Sequence, residues 1–272
     1  PVYYPSLEQM RAEEEEETPY LLFTILDEEG HLVRQLRAPA SAGLHRITWD
    51  LRYPAVNPTN MRDASPTSSG PSSTFAMPGS YQVFLSKKVD GKETKLTEPV
   101  PFTAKVIGNT TLPAEDQKAL RIFQKQVREL NRAVNAASNV IRDVGDKLRH
   151  FRVALKSVTT DTSEILAEIR VLETKVNDIQ RKLFGDRMSR RLDIDIEPGL
   201  SSRINGVIRD QWRSLSAPTQ SQNDAFQIVA DEFPPILEAI KTIVEEDIKK
   251  IEKKLEELGA PYTPGRLPAW KR

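Results

Sequence analysis

The sequence predicts an α+β multidomain chain, an antiparallel β-sandwich followed by an elongated antiparallel four-helix bundle, and three observations predict it. Between Tyr20 and Ile107 the apolar residues alternate with a period of two, in short runs separated by turn residues. From Leu120 to Leu258 they recur instead at steps of three and four. The switch falls on a short polar junction, Gly108 to Thr111, and 272 residues suffice for two small cores.

Residues 1–19 read as an acidic, proline-flanked linker. Pro1, Pro5 and Pro19 flank Glu13 to Glu17, and five like charges in succession repel one another in any compact state. The expectation is a solvated tether or a frayed helix. Tyr20 to Leu26 is rich in aromatic and branched residues, Asp27-Glu28-Glu29-Gly30 supplies a turn, and His31 to Leu36 returns as the second arm of a hairpin. Gly43 to Leu51 follows as a third strand, with Leu44, Ile47, Trp49 and Leu51 as its large apolar residues. From Pro54 to Pro78 the chain is dominated by Pro, Ser, Thr, Asn and Gly, and reads as a long loop that is either functional or mobile. Pro78-Gly79 opens a strand over Ser80 to Ser86, Asp90-Gly91 is a hairpin turn, and Phe102 to Ile107 closes the set. Six or seven short strands over residues 20–108 match a sandwich of immunoglobulin-like size.

Residues 109–260 read as the helical bundle. Thr111 is the expected N-cap of its first helix, with Pro113 in the first turn and Glu115 and Asp116 at the positive end of the dipole. Leu120, Phe123, Val127, Leu130, Val134, Ala137, Ile141, Val144, Leu148, Phe151, Leu155 and Val158 then form an unbroken heptad seam. The helix should run about 45 residues, roughly 65 Å, which makes the bundle a rod. Thr159 to Thr162 interrupts the pattern and caps a second helix bearing Ile165, Ile169, Leu172, Val176, Ile179 and Leu183. A third is expected from Leu200 to Leu215 with Ile204, Val207, Ile208 and Trp212 on its apolar side. The fourth starts near Thr219 and presents Phe226, Val229, Phe233, Leu237, Ile240, Val244, Ile248, Ile251, Leu255 and Leu258. Pro234-Pro235 inside it predicts a kink or short break, and Gly259 is the expected C′ residue. Residues 261–272 form a proline-spaced C-terminal tail. Short connections favour a monomeric bundle over a dimeric stalk.

Composition removes several function classes. Charge is balanced at 39 basic and 39 acidic residues, and neither half carries the positive field that nucleic acid demands. There is no cysteine, hence no disulfide or thiolate zinc site, and no apolar run of membrane-spanning length. His31, His45 and His150 form no metal-spaced pair, and no phosphate-cradling glycine loop, nucleophile elbow or dinucleotide fingerprint occurs. The chain is therefore expected not to be an enzyme and to need no cofactor. Its start at Pro1, without methionine, suggests a fragment or a processed product.

Two groups of residues remain as candidates. Asp193, Asp195 and Glu197 stand at a spacing of two; on an extended segment they would share a face suited to calcium or to an acid pair, or form a solvated edge with Ile194 and Ile196 packed beneath. Nearby Arg187, Arg190 and Arg191 either neutralise these acids or make a phosphate or sulfate site. Aromatic faces that stack on sugars are the second group: Tyr53, Phe75 and Trp270, with Trp49 and Trp212 assigned to cores. Trp270 and Arg266 belong to the tail, which is expected to pack back onto the protein, Arg266 reaching an acidic group.

The series Ile25-Leu26-Asp27-Glu28-Glu29-Gly30, Val33-Arg34-Gln35-Leu36, Gly43-Leu44-His45-Arg46-Ile47-Thr48-Trp49-Asp50-Leu51-Arg52-Tyr53-Pro54 and Pro78-Gly79-Ser80-Tyr81 resembles the FlgD-like immunoglobulin-type domain of bacterial exported proteins. With the helices and the closing Thr263-Pro264-Gly265-Arg266, it resembles the C-terminal region of large sortilin- or sialidase-like β-propeller proteins often labelled glycosyl hydrolase. No blade-length repeat occurs here, so any catalytic residues of such a protein lie outside this chain. The resemblance implies an extracytoplasmic, non-catalytic interaction or spacer module, whose partner is another protein or the upstream propeller. The alternatives are an accessory carbohydrate-binding part of a glycoside-active enzyme and an oligomerisation stalk.

Overall fold

The period-two runs become an antiparallel sheet in a computed structural model that describes residues 4–55, 57–59, 65, 67–107 and 114–268. The chain divides into two compact units: unit 1 comprises residues 1–122 with 211–217, and unit 2 comprises 123–210 with 218–272. Unit 1 therefore takes in residues on both sides of the expected boundary at 108.

Unit 1 opens with helix α1 (Leu7–Glu15), which Ser6 and Gln9 close with a reciprocal capping box and which buries nothing. Strands β1 (Tyr20–Asp27) and β2 (Leu32–Pro39) form the first hairpin. A register shift between Ile25 and Leu26 leaves Leu32 exposed while Val33 and Arg34 are both buried. Two further strands, β3 (Arg52–Pro54) and β4 (Ser72–Phe75), pair with each other in a separate ladder. The long β5 (Gly79–Val89) pairs with β1 on one side; on the other, β6 (Lys92–Lys95) takes its second half and β7 (Val100–Ala104) its first. The β5–β6 hairpin turns at Asp90 and Gly91, both at positive φ, as a two-residue hairpin turn requires.

The expected third strand over Gly43 to Leu51 does not form; only Arg52–Pro54 is extended and paired. Gly43 (φ 111°) and Leu51 (φ 57°) leave the extended region, and Leu44, Ile47 and Leu51 face solvent. Only Trp49 of that set reaches the core, its ring edge-on to Tyr81 at 5.4 Å and to Phe102 at 6.0 Å. The expected loop from Pro54 to Pro78 in turn contains β4, with Ser73, Thr74, Ala76 and Met77 buried. Its small polar residues hid it from a reading based on apolar alternation.

Unit 1 is fastened by side chains that reach backbone far away in sequence. Arg34, almost fully buried, donates to the carbonyls of Gly70 (2.9 Å) and Pro71 (3.0 Å). Arg52 lies over the rings of Phe75 (3.8 Å) and Trp212 (4.8 Å) and donates to the Ser73 and Trp212 carbonyls. Asp27 accepts from the Glu29 and His31 N–H groups and from Arg121 at 2.7 Å. Met77, Ala114 and Leu120 cluster with Leu215, and the Ala114 N–H donates to the Leu215 carbonyl.

Unit 2 is helical. Helix α2 (Gln117–Leu155), which enters this unit at Phe123, is 39 residues and about 58 Å long. Asp116 caps it by accepting from the Ala119 N–H; Thr111 and Pro113 lie outside the described residues. The seam holds: Val127, Val134, Ile141, Leu148 and Phe151 are all but fully buried. Helix α3 (Ser163–Phe184) buries the six residues its spacing indicated. A short α4 (Arg187–Arg191) precedes α5 (Leu200–Gln211), which buries Leu200, Ile204 and Val207. Trp212 falls just past the end of α5, in unit 1.

Thr219 and Gln222 form a capping box at the start of α6 (Gln220–Thr242). Pro234 and Pro235 cause no break, since the helix runs through them to Thr242. The irregularity comes later. Residues 243–247 form a single π-helical segment, closed by the Ile248 N–H to the Ile243 carbonyl, before α7 (Ile248–Glu257). The buried positions explain it: Val229, Phe233, Ile236, Ile240 and Ile243 advance by four and three, then the next is Ile248, five on, followed by Ile251 and Leu255. A regular helix would have turned Asp247, Lys250 and Lys254 inward; one wider turn restores the face. Leu237 and Val244, expected in the seam, are exposed and half-buried, and Ile236 and Ile243 take their places. Gly259 (φ 63°) ends α7 in a Schellman motif, with Ala260 N–H to the Leu255 carbonyl (2.9 Å) and Gly259 N–H to the Glu256 carbonyl (3.0 Å).

Candidate functional site

The arginines singled out near residue 190 do not sit alone. Two turns of α2 and the C-terminal half of α3 present polar stripes beside the buried seam, because residues three or four apart share one face of a helix. From α2 come Arg142, Asp146 and Arg149; from α3, Asn177, Gln180, Arg181 and Phe184; and α4 adds Arg187, Arg190 and Arg191. Together they line an open groove of about 1190 Å³, wholly within unit 2.

The segment that carries α4 is fixed by backbone. Gly199 lies against the end of α3 so closely that a Cβ there would fall 2.4 Å from the Gly185 nitrogen and 2.8 Å from the Leu183 carbonyl oxygen. Asp186 caps α4 by accepting from the Met188 N–H at 2.8 Å, and this bond, helped by Ser189 and Arg181, holds its carboxyl below the usual range. Arg190 donates to the Phe184 carbonyl at 2.7 Å, and Arg142 lies over the Phe184 ring at 5.0 Å. Arg149 pairs with Asp146 and Arg181 with Asp178. Arg187 and Arg191, both exposed, meet no carboxylate among the described residues.

Six guanidinium groups against two lining carboxylates leave four positive charges in excess, three if Asp178 is included. Guanidinium forks offer several N–H donors in a plane and stay charged at any biological pH. Amides at Asn177 and Gln180 and the Thr174 hydroxyl add neutral hydrogen-bonding groups. Such donors are complementary to carboxylates, phosphates and sulfates.

The acid triplet does not join this groove. Asp193 and Asp195 are exposed, Glu197 pairs with Arg203 at 3.1 Å, and among the described residues no His, Cys, Asp or Glu cluster could hold a metal ion. Ile194, expected beneath the triplet, is exposed as well. The aromatic candidates are also scattered. Tyr53 is 7% exposed and lies in the sheet core, with no face left for a sugar. Phe75 is half-buried under the Arg52 guanidinium. Arg266 reaches no acid among the described residues; it turns back to the Pro261 carbonyl (3.2 Å) and over the Tyr262 ring. Trp270 lies outside the described residues.

Sequence reading missed Arg142, Arg149 and Arg181. The signal was present, since Arg142 and Arg149 are seven apart and flank the heptad seam of α2, but such charges usually mark a solvated face. Compared with known proteins, the chain matches no family model, no curated protein and no solved structure. No helix among the described residues is long and apolar enough to cross a membrane.

Proposed function

We propose that this chain is a non-catalytic interaction module that binds an anionic partner in the arginine groove. The observation that carries the reading is the gathering of six arginines from three helices, four of them without an acidic partner among the described residues. In this reading the sheet and the β3–β4 ladder form an immunoglobulin-like sandwich, supported by Tyr81, whose hydroxyl donates to the Met77 carbonyl just upstream in the manner of a tyrosine corner. The helices α2, α3, α5 and α6–α7 form an antiparallel four-helix bundle. The module is the C-terminal docking and spacing part of an exported, extracytoplasmic β-propeller protein. Burial of the α2 seam within its own unit speaks against the stalk alternative. Burial of Tyr53 and the covering of Phe75 speak against a sugar platform.

Calorimetric titration with inorganic phosphate, polyglutamate and a sulfated polysaccharide tests the reading. At least one should bind saturably at low salt, weaken as salt rises, and lose binding in Arg187→Glu/Arg191→Glu. Absence of binding by all three overturns the anion site. Turnover of any chromogenic glycoside, ester or phosphoester, abolished by a groove substitution, overturns the non-catalytic assignment.

A further inference from the structure

Within the reading of the groove as an anion site, on which this inference rests, the chain itself supplies a ligand of the right chemistry. Helix α1 ends in Glu13, Glu14 and Glu15, and Glu16 and Glu17 follow directly. The last turn of a helix carries the negative end of its dipole, where cations are favourable and carboxylates are not. No basic residue offsets them in that turn, and residues 13–17 are all exposed without an ion pair among the described residues. Local rules broken without compensation inside a structure mark places where the compensation comes from outside. In the same chain Arg187 and Arg191 lack carboxylate partners among the described residues, and the groove around them holds an excess of positive charge.

We infer that the acidic segment Glu13–Glu17 of one copy docks in the arginine groove of a second copy. The two surfaces are different patches, so the contact is heterologous and joins copies head to tail. Bidentate guanidinium–carboxylate pairs set its specificity, with Arg187 and Arg191 free to engage first. Because both surfaces are exposed, the association is strongly salt-dependent.

A labelled synthetic peptide of residues 4–19, titrated into the whole chain, tests this together with sedimentation of the chain alone. The peptide should bind, and its affinity should fall at least about tenfold with Arg187→Glu/Arg191→Glu, with the milder Arg187→Gln/Arg191→Gln, and when its five glutamates are glutamines. The chain's mean mass should rise above 30.7 kDa with concentration at low salt. A chain with Glu13–Glu17 all changed to Gln should stay monomeric under the same conditions. A peptide that does not bind, or binds the charge-reversed chain equally well, overturns the inference. So does a wild-type chain that stays monomeric at every concentration. If a sulfated polymer or polyglutamate binds through the arginines while the peptide does not, the anion site stands and this occupant is wrong. If none binds, both readings fall.

Discussion

The two units are held together in different ways. Unit 2 rests on a mostly aliphatic seam of many buried residues, spread from Val127 to Ala260 and including Phe151 and Phe233. Its ion pairs lie outside that seam: Glu168 with Lys254 at 2.6 Å, Lys175 with Asp247 and Lys147 with Glu252, both at 3.1 Å. Unit 1 has a smaller core of aromatic and branched residues and relies on a few polar ties, Arg34 and Arg52 to distant backbone and Asp27 to Arg121. Distributed packing tolerates the loss of any exposed polar group, whereas a fold hung on a few ties is sensitive at each of them.

The largest effect should come from breaking the distributed seam with a charge. Val134→Asp places a carboxylate at a fully buried position, and is expected to cost unit 2 at least several kcal/mol or to unfold it. Far-ultraviolet circular dichroism on heating checks this; an unchanged helical melt would mean that the seam is not the core. In unit 1, a fragment of residues 20–108 lacks Ala114, Leu120, Arg121 and 211–217. It should melt well below the same unit in the whole chain, and an equal melting temperature would show those contacts to be idle.

A single tie should cost less. Arg52→Ala strips two carbonyls of charged donors and two rings of their cation, an expected loss of roughly 2–4 kcal/mol from unit 1. Arg52→Lys should restore little, because an ammonium lacks the planar fork. Trp212 fluorescence during denaturant unfolding measures it. Gly199→Ala should cost unit 2 about 1–3 kcal/mol by prying the start of α5, which closes the segment carrying α4, from the end of α3, and should weaken anion binding in the groove with it. Anion affinity preserved alongside lost stability would separate α4 placement from recognition.

The smallest effect depends on pH. Burial alone would raise the Asp27 carboxyl, but the Arg121 bond and the His31 and Glu29 N–H groups outweigh it and hold the group below its ordinary 3.8. A folded pKa below the unfolded one gives stability that is present above 3.8 and lost as pH falls through the folded value. Asp27→Asn should therefore be less stable than wild type at neutral pH, with the gap closing in acid. A gap that persists unchanged at pH 2 would assign the effect to shape rather than charge.

The helical seam was legible because burial in long helices leaves a strict trace: every fully buried residue of α2 stood in the predicted series. The sheet was legible where apolar residues alternate, at Tyr20 to Asp27 and around Tyr81. It was illegible at β4, whose buried Ser73 and Thr74 are small and polar, and at Leu44 to Leu51, where Leu44, Ile47 and Leu51 are exposed on a segment bounded by positive φ angles. Of the candidate groove only the α4 arginines could be read, since they are contiguous. Arg142, Arg149 and Arg181 are joined to them by helix packing alone, which sequence spacing does not encode between helices.

The wide turn at residues 243–247 carries a record of chain length. Removing one residue there, Val244 for example, would bring Ile243 and the present Ile248 to a spacing of four, and the order of buried positions would become a regular heptad through Leu255. A one-codon deletion at that point would be absorbed silently by an ordinary α-helix. The same deletion two turns later would rotate Leu255 off the core face and misplace the Gly259 stop. The helix thus contains a narrow window in which its gene can change length by a single triplet and still encode the same buried surface.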